Sequence, residues 1–319
     1  MSTHTRIFLM LSVLVCIGLL TGCAPKAQLA LNFAPAQTDT YKTTTEMIKD
    51  VKFDQPSLNK SSFDQTSTEI SVTEQRKVLE IDEKGVALAQ ATIQAVKVMS
   101  VIKNETQYDF DSSRKKDASD PLAKLIGLSY SLRLHPDGTA DVVDAAAARA
   151  VKIDGGMAGA LAKRILSDNG IVERHHILAM PDAEKARVSV GKRWSRLESS
   201  SPGLFPSKSF EKVYTLTGIK NAEGRKIAAV RMSAGESTKP APGATSVSPL
   251  GPLAKMFDTE DQYSGSMTFD LAGGQVQNFE EKLVTTYLVE DPQQATDNTQ
   301  KPDTLRIRFT QSIETTRLK

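Results

Sequence analysis

In several stretches of this chain apolar residues fall at every second position. Leu128, Tyr130, Leu132 and Leu134 alternate with Ser129, Ser131, Arg133 and His135; near the C-terminus Leu305, Ile307, Phe309 and Ile313 fall out of phase with Arg306, Arg308 and Thr310. Met267, Phe269 and Leu271 form a third run, and Phe279, Leu283, Tyr287 and Val289 a fourth. Successive side chains of a strand point to opposite faces, so each run predicts a strand with one buried and one wet face. That pattern belongs to antiparallel sheets, because parallel ones are buried on both sides. Turns at 82–85, 136–138, 221–224 and 272–274 separate pairs of extended runs, and each carries a glycine suited to the positive φ of a hairpin turn. Four hairpins are predicted, over roughly 66–102, 128–143, 210–232 and 263–290.

The order of these elements suggests two similar halves, about 28–145 and 188–319. Between them the Ala-rich stretch 145–169 places Met157, Leu161, Ile165 and Leu166 at helical spacing, with Gly170 as the stop signal and Gly155 and Gly156 breaking the helix in two. A shorter helix is predicted over 120–127. The segment 233–261, with Pro240, Pro242, Pro249 and Pro252, and the polar segment 291–302 read as irregular, most of 236–250 as disordered, and Leu250, Leu253, Met256 and Phe257 as a possible docking turn. The predicted fold class is mainly β (α+β): a curved antiparallel sheet or half-open β-barrel from two similar halves, with a central helical insert at about 145–180.

Composition changes this picture little. Aromatics make up 6% of the chain and Trp194 is the single tryptophan, so the core rests on Val, Ile, Leu, Ala and Thr, which favours strands. A formal net charge of +2 gives no reason to expect nucleic acid as a partner.

Candidate chemistry is sparse. His175 and His176 are adjacent and diverge on a helix or a strand, and with His135 they form no metal-binding spacing; surface or helix-end positions are the expectation. Gly155, Gly156 and Gly159 precede a helical pattern without the rest of a phosphate loop. The G-x-S-x-S of Gly127, Ser129 and Ser131 leads into a strand, whereas a nucleophile elbow leads into a helix. Asp109, Asp111, Asp258, Glu260 and Asp261 lie in polar stretches where solvated charge is the default, and Trp194 reads as a packing residue. No enzyme activity, cofactor or metal is expected.

The N-terminus is more specific. Residues 7–20 are apolar apart from Ser12 and Gly18 and follow Arg6, as in a secretory signal. Fourteen residues of helix span about 21 Å, too short for a bilayer core of about 30 Å. Leu20, Thr21, Gly22 and Cys23 resemble a bacterial lipobox. That resemblance implies removal of 1–22, acylation of Cys23 and a single β-rich domain over 23–319; an ordinary signal peptide with a stray thiol at Cys23 is the alternative. Cys16, the other cysteine, lies in the segment that would be removed, leaving no disulfide to form. Ala24 and Pro25 follow Cys23 where proteobacterial lipoproteins kept at the inner membrane have an aspartate, which implies the periplasmic face of the outer membrane.

With the lipobox, an early strand at Tyr41, the V-x-V-G-x-x-W of 188–194 and the G-x-M-x-F-D of 265–270, the chain resembles uncharacterised bacterial envelope lipoproteins. It is similar in organisation to the half-open β-barrels of periplasmic lipoprotein carriers. Two functions follow as expectations. One is binding of a lipid, acyl chain or lipopeptide in a concave sheet, with Leu128, Tyr130, Leu132, Met157, Leu161, Ile165, Met267 and Phe269 facing the ligand and the 145–166 helix as a lid hinged at its glycines. The other is a structural or protein-interaction role with a filled core and no ligand.

Overall fold

The computed structural model describes residues 25–153, 155–200, 205–242, 251–291 and 301–318. Leu20 to Cys23, expected to form a lipobox, and 243–250 of the segment expected to be disordered, lie outside them. Among the described residues no helix is long and apolar enough to cross a membrane.

The strands are β1 (Lys26–Gln28), β2 (Thr38–Gln55), β3 (Lys60–Ile81), β4 (Ala87–Ile102), β5 (Glu105–Asp111), β6 (Ser129–Leu134), β7 (Ala140–Asp144), β8 (Arg187–Ser189), β9 (Arg193–Ser200), β10 (Lys208–Ala222), β11 (Arg225–Glu236), β12 (Asp258–Asp270), β13 (Gln275–Glu290) and β14 (Thr304–Leu318). All but β1 and β8 form one 12-stranded sheet in the order β7-β6-β4-β3-β2-β14-β13-β12-β11-β10-β9, with β5 also pairing with β4. Every pairing is antiparallel. The sheet is antiparallel throughout, as the alternation predicted, and it is curved and not closed, in keeping with the expected fold class. All four expected hairpins are present, as β3–β4, β6–β7, β10–β11 and β12–β13. The first and last long strands meet at the centre, where β2 pairs with β14 from Thr40↔Leu318 to Asp54↔Thr304 and joins the two halves.

Three short helices, α1 (Ala146–Arg149), α2 (Gly156–Leu166) and α3 (Asp168–His175), follow β7. The break at Gly155 and Gly156 is where the glycines placed it, but the helical region does not stop at Gly170. Ser167 starts a new helix instead, its Oγ accepting from the Gly170 amide at 3.0 Å. Gly170 is required for packing rather than for termination, because a Cβ there would lie 2.2 Å from the Arg164 carbonyl oxygen. The expected helix at 120–127 is a 3-10 turn, Pro121–Leu125, with Asp120 accepting from the Leu122 amide.

The inner face of the sheet is covered in two parts. Over β3, β4 and β6 the helices bury Leu161, Ile165 and Ile171 against Ile70, Val72, Tyr130 and Leu132. Over β10 to β13 the cover is the small β1–β8 sheet with Ile177 and Met180, packed on Tyr214, Val230, Met267 and Phe279. A third, aromatic cluster holds Phe205, Tyr287 and Ile307, with Phe205 stacked on Tyr287. Much of the remaining length of β2 and β3 is half-buried or exposed, including Met47, Phe53 and Phe63.

Candidate binding site on the inner face

Residues directly opposite one another in an antiparallel pair share a face, so the register defines rows across the sheet. One row runs Thr45, Ile313, Glu281, Gly265, Met232, Tyr214, Trp194. The next contains Met47, Gln311, Leu283 and Tyr263 on one side and Ala234, Lys212 and Arg196 on the other. Both rows lie on the inner face, under the helices and the β1–β8 cover, and both put charged residues where alternation calls for apolar ones. Lys212 stands in phase with Phe210, Tyr214 and Leu216, and Glu281 between Phe279 and Leu283.

Lys212 is 1% exposed, with its Nζ 2.6 Å from Glu281 Oε2 and 2.5 Å from Glu198 Oε2. Tyr214 Oη donates to Glu281 Oε1 at 3.1 Å, and the Tyr263 ring lies under the ammonium at 4.8 Å. Burial works against the ammonium, but the two carboxylates outweigh it and hold Lys212 protonated well above its ordinary range. Two carboxylates share one cation, and Glu281 is the more deeply buried; burial pushes its carboxyl up. Gly265 makes room for this carboxylate, since a Cβ there would lie 2.7 Å from the Glu280 carbonyl oxygen and 3.1 Å from Glu281 Cγ.

A second buried polar cluster ties the helices down. Glu74 on β3, 2% exposed, accepts from Arg174 Nη2 at 3.2 Å, lies 3.2 Å from His175 Nε2 and accepts a short hydrogen bond from Tyr130 Oη. Burial alone would raise the Glu74 carboxyl, but Arg174 and His175 hold it far below the usual carboxylate range. Burial, then the charge of Arg76, pushes His175 down to about 4. Arg174 also donates at 2.8 Å each to the carbonyl of Ile165, in the last turn of α2, and to that of Gly170 in α3.

Between these clusters, where α2 and α3 meet the second half of the sheet, lies a cavity of about 300 Å³. Met47, Leu178, Phe279, Leu283 and Ile313 give it apolar walls; Lys212, Glu198 and Glu281 form its polar side, and Arg164, Glu173 and His176 come from the helices. Arg164 Nη2 approaches Met47 Sδ at 3.3 Å. The buried His176 Nε2 has no hydrogen-bond partner among the described residues, and burial lowers the pKa of the ring.

The residues expected to face a ligand occupy different places. Leu128, Tyr130, Leu132, Met157, Leu161 and Ile165 belong to the packed core under the helices, and Met267 and Phe269 to the core under β1–β8. None of them lines the 300 Å³ cavity. The expected lid over 145–166 sends Leu161 and Ile165, 7% and 2% exposed, into that core, and Arg174 of α3, held by Glu74, donates to its Ile165 carbonyl. His135 is a surface residue paired with Asp141, and His175 and His176 end α3, but His175 is buried and not at the surface. The ring directions of the two diverge, one entering the Glu74 cluster and the other the cavity. Trp194 stacks on Tyr214 with ring centroids 5.9 Å apart, and Ser129 Oγ is hydrogen-bonded to Thr92 Oγ1. Among the described residues no group of His, Cys, Asp and Glu is placed to hold a metal. The cavity and its charges were missed, although a charged residue at the apolar phase of a strand was a visible signal.

No family model and no curated protein sequence matches the chain. Among solved structures it is similar to lipovitellin, in a structure concerned with lipid–protein interactions, at 8% identity over 88% of this chain, with a TM-score of 0.39. The chain spans 25% of that lipovitellin chain. It is similar to OpdL of Pseudomonas aeruginosa at 8% identity, covering 89% of this chain and 99% of that one with a TM-score of 0.19. A DUF1329 family protein from Desulfovibrio piger is 6% identical over 84% of this chain and 83% of its own, with a TM-score of 0.13. Likenesses at this level say nothing about what the chain binds.

Proposed function

We propose that the protein is a lipid-anchored protein of the cell envelope, held by an acylated Cys23 at the periplasmic face of the outer membrane, which receives the acyl chain of an amphiphile on the inner face of its sheet. The observation that carries the binding reading is the 300 Å³ cavity, whose apolar walls adjoin a charged cluster already neutralised in part within the protein. Its volume lies at the lower end of the range of small-molecule sites, about 300–1,000 Å³. Apolar walls suit an acyl chain, and the polar side with His176 suits a headgroup. The N-terminal anchor rests on Leu20, Thr21, Gly22 and Cys23.

A structural role is the second reading, and two observations favour it: Leu161 and Ile165 of the expected lid are buried core, and the next helix, α3, is tied to Glu74 by a buried ion pair. Native mass spectrometry of the full chain after mild detergent extraction separates the two. Carriage predicts co-purified lipid that is lost in a folded Ile313→Trp variant, in which the indole fills the cavity. Wild-type protein free of lipid would favour the structural role.

A further inference from the structure

A smaller cavity, about 30 Å³, lies behind the Glu74 cluster at the end of the sheet where β2 begins. Phe33, Val78 and Ile177 contribute apolar wall, and Arg76 and His175 contribute charge and polarity. These two side chains are 9% and 2% exposed. Each has a buried nitrogen without a hydrogen-bond partner among the described residues, Nε of Arg76 and Nδ1 of His175. Leaving such a buried polar atom unpaired costs about 1–3 kcal/mol, and more when the group is charged, so two in one small cavity call for an occupant.

The charge balance says which kind. Among the described residues the guanidinium groups of Arg76, Arg174 and Arg317 face this region against the carboxylates of Glu74 and Asp39, while Asp270 nearby is paired with Arg225. Glu74 is taken by Arg174 at 3.2 Å and by His175. Asp39 is taken by Arg317 at 2.5 Å and by the amide of Gln37 at 2.5 Å. Among the described residues Arg76 has the Tyr41 ring, 4.1 Å from its guanidinium carbon, and a 3.4 Å contact from Nη2 to the Arg174 carbonyl oxygen. The remaining polar neighbours, Tyr41 and Gln275, are hydrogen-bonded to each other at 2.9 Å. Among the described residues Arg76 makes no ion pair of its own, and its cross-strand neighbour Asp39 is already paired with Arg317.

We propose that this cavity is a monovalent anion site that takes chloride between Arg76 Nε and His175 Nδ1, and that chloride binding is coupled to protonation of His175. A water molecule needs at least about 10–15 Å³ of such space, so the cavity has room for one monatomic anion and not for phosphate or sulfate. The coupling follows from the geometry of the ring. His175 Nε2 already faces the Glu74 carboxylate, so an anion at Nδ1 favours the imidazolium, which donates at both nitrogens. Arg76, Arg174 and Arg317 oppose that proton, and Glu74, Asp39 and the bound anion favour it.

Two measurements on the full detergent-solubilised chain decide the matter. Crystals grown with sodium bromide should show an anomalous peak between Arg76 and His175; a non-anomalous water there would overturn the proposal. In solution, NMR titration of His175 in sodium chloride, against sodium gluconate of equal ionic strength, should place its protonation at higher pH in chloride. Arg76→Gln should abolish that difference, and should this variant not fold, the two wild-type measurements decide alone. A bromide peak without a chloride-dependent titration would mean an adventitious ion only, and would also overturn the coupled site.

Discussion

Removing the Glu74 carboxylate should be among the most destabilising single changes in the protein. Glu74→Gln keeps the shape of the side chain but takes the negative charge from between Arg174 and His175 and leaves the Arg174 guanidinium buried without a counter-ion. Breaking a buried pair from one side costs about 3–5 kcal/mol. The glutamine oxygen can still accept from Tyr130 or Arg174, which places the expected loss at the lower end, about 3 kcal/mol. The pH dependence gives an independent check in the wild type. His175 titrates at about 4 in the folded protein against an ordinary 6.5. The folded state therefore excludes a proton that the unfolded chain takes up; stability is full above about pH 6.5 and declines toward pH 4, by up to about 3 kcal/mol. Glu74, held low in the fold, adds a loss in the same direction below the ordinary carboxylate pKa. Urea unfolding of the full chain, followed by far-ultraviolet circular dichroism between pH 4 and 8, measures both effects. A Glu74→Gln loss under 1 kcal/mol at pH 7, or stability flat from pH 6.5 to 4.5, would refute the view of this cluster as the clamp on the helices.

Three further outcomes are expected. Lys212→Met should cost about 3–5 kcal/mol by leaving Glu281 buried without its cation, whereas Glu281→Gln should cost less because Glu198 still pairs with Lys212; urea midpoints of the two variants check the order. Gly265→Ala should destabilise by about 1–3 kcal/mol, since its Cβ would press on the Glu280 carbonyl oxygen, and its thermal midpoint should fall accordingly. Cys23→Ala should move the protein from the membrane pellet to the soluble fraction, and mass spectrometry of the wild type should find acyl mass on a chain beginning at Cys23.

Local features of the fold were legible because each hairpin carries its own turn signal and at least one strand with a single buried face. The β2–β14 pairing was not. The inner positions of β2 run Tyr41, Thr43, Thr45, Met47, so hydropathy barely alternates there, and the partner strand lies at the far end of the chain. Helix termination at Gly170 was misjudged because glycine signals a stop only when the next residues cannot restart the helix, and Ser167 caps a new one. The eight positions expected to face a ligand were chosen for apolar periodicity, alternation in the strands and helical spacing at Met157, Leu161 and Ile165, and such periodicity finds packed core. The cavity lies where the strand alternation is interrupted by Lys212 and Glu281, charges that satisfy each other at 2.6 Å. Mutual pairing across 69 residues of sequence leaves no local trace.

The central claim, an acyl chain held against β2, β13 and β14, is tested most directly by photo-crosslinking the membrane-extracted full chain with a fatty acid carrying a diazirine near its methyl end. Adducts should map by peptide mass spectrometry to Met47, Leu283 and Ile313, and should disappear in Ile313→Trp. Adducts confined to exposed residues such as Leu58 and Phe63, or no adducts at all, would contradict it.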